Sequence, residues 1–115
     1  SQTKGIEHMS LDVYLKNEAG DTIYQRNITH NLAKMADEAG IYKCLWRPDE
    51  NKITHAWQIV TQLSDGLVLL VTQKARFEKF NDPGGWGKWE HFVPFCADYL
   101  QACKDNPNAL VTVSR

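Results

Sequence analysis

The segment RNITHN, residues 26–31, gathers five polar side chains within six residues. It stands where a strand-like pattern gives way to a helical one, and the N–H groups at a helix start favour an anion. His30 is of a type that exchanges protons near neutral pH, while Arg26, Asn27 and Asn31 would add charge and hydrogen bonds. The alternative is that Thr29 or Asn31 caps the helix, which contributes about 1 kcal/mol. Capping explains the threonine and the asparagine, but it does not explain His30.

A second candidate is the segment LWRPDE, which contains Trp46 and Arg47. Both are residue types that anchor interfaces and stack on bases or other planar ligands. The alternative is a corner between two helices, in which Trp46 packs in the core and Arg47 pairs with Asp49 or Glu50. The sequence alone favours the corner, because proline ends a helix at this point.

The third candidate is the loop NDPGGWGKW, residues 81–89. Its glycines allow the backbone to approach a ligand, so that a lip carrying Trp86 would lie over a pocket. The alternative is a structured loop whose Trp86 packs into the core. The loop is not a phosphate-binding P-loop, because no Lys-Ser or Lys-Thr pair follows the glycines.

Metal and nucleophile chemistry has little support in the sequence. The four histidines are widely spaced, and there is no His-x-x-x-His or Cys-x-x-Cys motif. A zinc site built from His30, His55 and Asp37 would have no sequence signature. Cys44 beside His30 or His55 is the only nucleophile–base combination, and a buried, inert cysteine is the commoner outcome. We therefore predict no metal and no cofactor.

Length, charge and cysteine usage exclude several classes of protein. The chain has 115 residues and a net charge of −1, which predicts one domain and argues against nucleic acid as its main partner. No apolar run approaches the ~20 residues that span a bilayer, so no membrane partner is predicted. Residues 1–8 contain no apolar signal segment, and the three cysteines do not form an even disulfide set. These features predict reduced thiols and a cytoplasmic location.

The elements that must position the candidates form an α+β fold. Apolar and polar residues alternate over residues 11–16, as in a half-buried strand. Turn-forming residues follow, and residues 22–25 then favour a second strand that runs back along the first. Residues 110–114 form a short segment rich in β-branched residues. We predict a small antiparallel sheet made of this N-terminal hairpin and the C-terminal strand, packed against about four helices. Residues 11–115 form the single domain, and residues 1–10 are a flexible extension or a cloning remnant.

The helical segments carry recognisable boundary signals. Leu32, Met35, Ala36 and Ala39 share one helix face, and Gly40 follows where a C-terminal glycine belongs. Further along, Asp49 is the predicted cap of the next helix, Ser64 and Asp65 break it, and Pro94 either lies in the first turn of the last helix or kinks it.

The segments NITHNLAKMADEAGIYKCLWRPDE, GGWGKWEHFVPF and YLQACKDNPNALVTVSR together cover about half of the chain. In these segments the chain resembles a family of uncharacterised proteins of bacteria and their bacteriophages. Members often carry a Cys-x-x-Cys-like insert in the first hairpin, where this chain has only residues 17–21. The resemblance implies a small, phage-related accessory protein, located in the host cytoplasm if phage-encoded, and it supplies no activity.

Three hypotheses follow for function. The first is a binding protein whose three candidate segments line one surface and hold a small anionic molecule or a host protein. Its predicted ligand-binding residues are Arg26, Asn27, Thr29, His30, Asn31, Trp46, Arg47 and Trp86. The second is a small hydrolase or transferase with His30 as general base, which is weaker because no partner acid, nucleophile or metal accompanies it. The third is a structural, oligomer-forming subunit, although the sequence does not give the oligomeric state.

Overall fold

Three antiparallel strands form the sheet of this protein, seen in a computed structural model that describes residues 10–115. The strands are β1 (Ser10–Lys16), β2 (Thr22–Thr29) and β3 (Leu110–Ser114). The helices are α1 (Ala33–Glu38), α2 (Tyr42–Trp46), α3 (Trp57–Thr72), α4 (Lys74–Glu78) and α5 (Trp89–Asp105), with short 3-10 turns at His30–Leu32 and Pro48–Asn51. The predicted α+β class is confirmed. The predicted extension, residues 1–10, lies outside the described residues apart from Ser10.

The strand order β2-β1-β3 places the N-terminal hairpin beside the C-terminal strand, as predicted. Val113 lies opposite Val13 across the β1–β3 pair. The alternation in β1 is confirmed, because Leu11, Val13 and Leu15 are all fully buried against the helices. The pairing also brings the end of β3, and Arg115 after it, next to the segment that follows α2.

Gly40 ends α1 in the manner that the sequence predicts. Its φ of +78° is the left-handed conformation that glycine adopts without strain. The N–H of Gly40 donates to the carbonyl of Asp37 (3.0 Å), and the N–H of Ile41 donates to that of Ala36 (2.9 Å). This is a Schellman motif. It turns the chain so that α2 can follow almost immediately.

Two predicted boundaries of the next helix are wrong. Asp49 does not cap it, because Asp49 lies in the second 3-10 turn and α3 begins only at Trp57. The side chain of Gln58 serves the helix start instead, since its Oε1 accepts the N–H of Thr54 (2.7 Å) and of His55 (2.9 Å). The predicted break at residues 64–65 is absent as well, because α3 continues without interruption to Thr72.

Pro94 lies inside α5, because the helix already begins at Trp89. It therefore removes one intrahelical hydrogen bond, to the carbonyl of Glu90. The helix tolerates this because one of its faces is deeply buried. That face consists of Phe92, Phe95, Cys96, Tyr99, Leu100 and Cys103.

The hydroxyl group of Tyr99 is an exception in this core. The side chain is fully buried, and its hydroxyl has no hydrogen-bond partner among residues 10–115. Burial of an unpaired polar group costs free energy, so we expect Tyr99→Phe to leave the free energy of unfolding unchanged or to raise it by about 1 kcal/mol. Urea denaturation checks this. A loss of more than about 1 kcal/mol would show that the hydroxyl has a stabilising partner.

Candidate functional site

His30 and Trp46 meet at the centre of the candidate site. His30 begins the 3-10 turn that follows β2, and Trp46 ends α2 with only 2% of its surface exposed. The indole Nε1–H of Trp46 donates to Nδ1 of His30 at 2.8 Å. The buried tryptophan therefore fixes the orientation of the imidazole ring, which the sequence did not predict.

This bond also determines which nitrogen of a neutral His30 carries the proton. An indole nitrogen can only donate, so Nδ1 must be the acceptor and the proton must be on Nε2. A general base needs a lone pair facing the substrate, and the only lone pair of this tautomer is on Nδ1, directed at Trp46. In this arrangement Nε2 of His30 is a hydrogen-bond donor rather than a base.

Thr29 and Asn31 link the turn to its surroundings. The Oγ1 of Thr29 accepts the N–H of Asn31 at 3.3 Å, which is the capping role that the sequence predicts. The side-chain amide of Asn31 donates to the carbonyl of Trp86 at 2.8 Å. The first and third candidate segments are therefore in direct contact, because Asn31 joins the turn to the glycine loop.

The glycine loop is held by its own side chains and presents Trp86 to solvent. The Oδ2 of Asp82 accepts the N–H of Gly84 (2.9 Å) and of Trp86 (3.2 Å), and Oδ1 of Asn81 accepts the N–H of Trp89 (2.7 Å). The indole of Trp86 is 75% exposed. The alternative in which Trp86 packs into the core is therefore wrong.

A cavity of about 400 Å³ opens beside the His30–Trp46 pair. We call it the arginine pocket, and it is lined by His30, Ala33, Tyr42, Trp46, Arg47 and Arg115. Its volume is within the range of about 300–1,000 Å³ that small-molecule sites occupy. The Tyr42 and Trp46 rings stack beside the cavity with centroids 5.6 Å apart. Within the part of the chain that the structure describes, the lining carries two permanently charged side chains, and both are arginines.

Acidic residues outside this lining hold the two arginines in place. Arg115 donates to the carbonyl of Trp46 (3.1 Å), to both carboxylate oxygens of Asp49 (2.8 and 3.2 Å) and to Glu50 (3.2 Å). Arg47 donates to the same Glu50 oxygen at 3.1 Å, so the predicted pairing of Arg47 with an acidic neighbour is confirmed. The hydrogen bond from Arg115 lowers the pKa of the Asp49 carboxyl.

The arginine pocket is one of three cavities that meet at Ala33. A second, of about 390 Å³, includes His30, Asn31 and Asp82 in its lining, and a third, of about 440 Å³, is lined partly by Tyr42 and by acidic side chains of α1. Phe80 lines both of these further cavities, although it stood out in no sequence pattern. The depression around Ala33 therefore extends from the arginines to the glycine loop.

Arg26 and Asn27 lie elsewhere, although they belong to the same segment of sequence. Neighbouring residues of a strand point to opposite faces of the sheet, so the two side chains diverge. Arg26 pairs with Asp98 of α5, and the amide of Asn27 donates to Asp12 on the neighbouring strand at 2.9 Å. Neither lines the three cavities around Ala33, and these contacts give no support to a ligand-binding role.

The fold gives no support to the metal site or the cysteine nucleophile that the sequence analysis considered. Within residues 10–115 no three histidine, cysteine, aspartate or glutamate side chains lie close enough together to hold a metal ion, so His30, His55 and Asp37 form no such group. Cys44 is buried and its thiol donates to the carbonyl of Ile41 at 3.3 Å. Burial raises the pKa of Cys44 to about 12, which is opposite to the change that activates a nucleophile.

The three buried cysteines should therefore react slowly in the folded protein. Burial raises the pKa of Cys103 to about 12 as well, and that of Cys96 well above its usual range. A raised pKa means less thiolate, so at pH 8 we expect little reaction with a disulfide reagent such as Ellman's within minutes. All three thiols should react promptly in 6 M guanidinium chloride. One thiol that reacts rapidly in the native protein would contradict this expectation.

Comparisons of the chain with protein-family models, with curated proteins and with solved structures gave no match. The resemblance to a phage-related family therefore stays a prediction. Among the described residues, no helix is both long enough and apolar enough to cross a lipid bilayer.

Proposed function

We propose that this protein is a binding protein that holds an anionic group of a small molecule in the arginine pocket. The observation that carries the proposal is the lining itself, where Arg47 and Arg115 face one cavity and no acidic side chain of residues 10–115 does. A guanidinium group presents a planar fork of N–H donors that matches a carboxylate or a phosphate. Its bonds to Asp49 and Glu50 hold Arg115 in position before a ligand arrives, which lowers the ordering cost of binding.

The donors that remain on Arg47 support an anion as the ligand. Arg47 uses Nε toward the Tyr42 hydroxyl (3.4 Å) and Nη1 toward Glu50, while its Nη2 makes no hydrogen bond within residues 10–115. An Nη2 group carries two N–H donors. These N–H donors can pair with an oxyanion, which supplies several acceptor lone pairs.

Binding has more support than catalysis. The hydrolase or transferase alternative needs His30 as a base, and the bond from Trp46 occupies the lone pair that a base would use. The arginines can position and neutralise a ligand, but they do not exchange protons near neutral pH. Among the described residues, the lining of the arginine pocket contains no serine, cysteine or carboxylate that would act as a nucleophile.

Binding of a host protein is the second candidate, and Trp86 is the observation that favours it. Tryptophan is among the residues most enriched at the energetic centres of protein interfaces. Here its indole is 75% exposed on a loop that internal hydrogen bonds already hold in one conformation. A cytoplasmic, phage-related protein would meet such a partner in its host, and an oligomer-forming subunit could use the same indole.

The native mass of the protein purified from bacterial cells, compared with its denatured mass, tests the proposal. We expect extra native mass corresponding to a small acid, released when Arg47 is replaced by glutamine. Extra mass corresponding to a host polypeptide, and lost in Trp86→Ala, would favour the second candidate. A native mass equal to the chain alone would count against tight retention of either ligand in that cell.

A further inference from the structure

A second cavity lies on the other side of α2, between this helix and the start of α3. It has a volume of about 470 Å³. Its charged, amide and tryptophan side chains are Lys43, Asn51, Lys52, Trp57, Gln58 and Gln62. We call it the lysine pocket. None of these residues lines the arginine pocket, so the two cavities can be altered independently by mutation.

The charge of the lysine pocket favours an anion. Lys43 and Lys52 are the charged residues of its lining, and neither makes an ion pair within residues 10–115. Lys52 also has a left-handed backbone (φ +59°), the only non-glycine residue of the described chain with positive φ. The side-chain amide of Gln58 donates to the carbonyl of Lys52 at 3.1 Å. A lysine ammonium is a compact point charge that suits a phosphate group.

Trp57 gives the lysine pocket a flat aromatic surface. The indole is 58% exposed, although it belongs to the first residue of a 16-residue helix whose other side is buried. The main chain that carries it is anchored, because the backbone N–H of Trp57 donates to the carbonyl of Pro107 at 3.0 Å. An exposed indole is a stacking platform for a planar ring.

Two side-chain amides add hydrogen-bond acceptors. The amide nitrogen of Asn51 donates to the carbonyl of Arg47 (2.7 Å), and that of Gln62 donates to the carbonyl of Gly40 (2.9 Å). These bonds orient the two amide groups: each nitrogen keeps one further N–H, and the amide oxygens accept no hydrogen bond within residues 10–115. Acceptors of this kind pair with the amino and imino N–H groups of nucleobases.

We propose that the lysine pocket binds a nucleoside phosphate. The phosphate lies between Lys43 and Lys52, the base stacks on Trp57, and the oxygens of Asn51 and Gln62 accept hydrogen bonds from the base. The same chemistry is presented by a free nucleotide and by the phosphorylated end of a nucleic-acid strand. This site is separate from the anion site proposed for the arginine pocket.

Calorimetric titration of the whole protein tests the proposal. The probes are AMP, GMP, CMP, UMP, the unphosphorylated nucleosides, inorganic phosphate and a short 5′-phosphorylated oligonucleotide. We expect saturable binding of at least one monophosphate, at least tenfold tighter than of its nucleoside or of phosphate alone. An oligonucleotide that binds more tightly than every monophosphate identifies a strand end as the ligand, and the reverse order identifies the free nucleotide.

Matched variants locate the binding. We expect Trp57→Leu and Lys52→Asn each to weaken binding about tenfold or more, since stacking of one base is worth about 1–3 kcal/mol. Asparagine tolerates the left-handed conformation, so Lys52→Asn removes the charge and keeps the turn. Trp86→Leu, which removes another exposed tryptophan, and Arg47→Gln should leave the affinity unchanged. Absence of saturable binding by every probe, or binding that survives both Trp57→Leu and Lys52→Asn, would overturn the proposal.

Discussion

Gly87→Ala is expected to lower the free energy of unfolding by about 3 kcal/mol, from backbone strain and overpacking of about 1–3 kcal/mol each. The residue has φ +124°, where a side chain is strained. An added Cβ would also lie 2.9 Å from Cγ2 of Thr29 and 3.2 Å from Cβ of Asn31. The glycine therefore allows the loop to pack directly on the turn that contains His30. Urea denaturation measures the loss as a lower midpoint at an unchanged slope.

Gly85→Ala in the same loop is the matched control. Its φ is also positive, at +83°, but the nearest atom to an added Cβ is Cε of Lys88 at 3.9 Å. It should cost only the strain of a left-handed alanine, about 1–2 kcal/mol. If the two variants lose equal stability, the close contact between an added Cβ and the turn does not contribute significantly to the loss in Gly87→Ala.

Arg47→Gln is expected to weaken binding of an anion in the arginine pocket by about 10- to 100-fold, since hydrogen bonds to charged groups contribute about 1.5–3 kcal/mol. Stability should change little, because the side chain is 39% exposed and ion pairs of this kind are worth little. Isothermal titration calorimetry of wild type and variant, with whichever acid is retained in the native mass, gives the ratio of dissociation constants.

Arg26→Gln is the control for that substitution. Arg26 has a similar exposure, 36%, and also pairs with one carboxylate, but it lies at the helix-covered face of the sheet. Its replacement should leave the affinity for the anion unchanged. A loss in Arg26→Gln equal to that in Arg47→Gln would instead support the sequence-based site, which included Arg26.

The parts of the fold that could be predicted are those determined by neighbours in sequence. Strict alternation places Leu11, Val13 and Leu15 on one side of β1, and a glycine after the last apolar position of α1 predicts its end at Gly40. The start of α3 was missed because its hydrogen bonds come from Gln58, a side chain inside the helix rather than before it.

The candidate site was predictable only in part, because distance along the chain says little about which side chains converge. No sequence pattern indicated Arg115, which reaches the arginine pocket only because β3 pairs with β1. Closeness along the chain also grouped Arg26 with His30, although strand geometry and the ion pair with Asp98 direct the Arg26 side chain away from His30. The bond between Trp46 and His30 joins residues 16 positions apart and has no sequence signature.

The most direct test of anion binding is the response of the Trp46 indole N–H signal in the nitrogen-15 NMR spectrum to added citrate or inorganic phosphate. That proton is bonded to His30 in the lining of the arginine pocket, so an anion at the two arginines would change its environment. We predict a shift of the Trp46 signal that saturates with anion concentration and is lost in Arg47→Gln. A Trp46 signal that does not respond, or that responds identically in Arg47→Gln, would contradict anion binding in the arginine pocket.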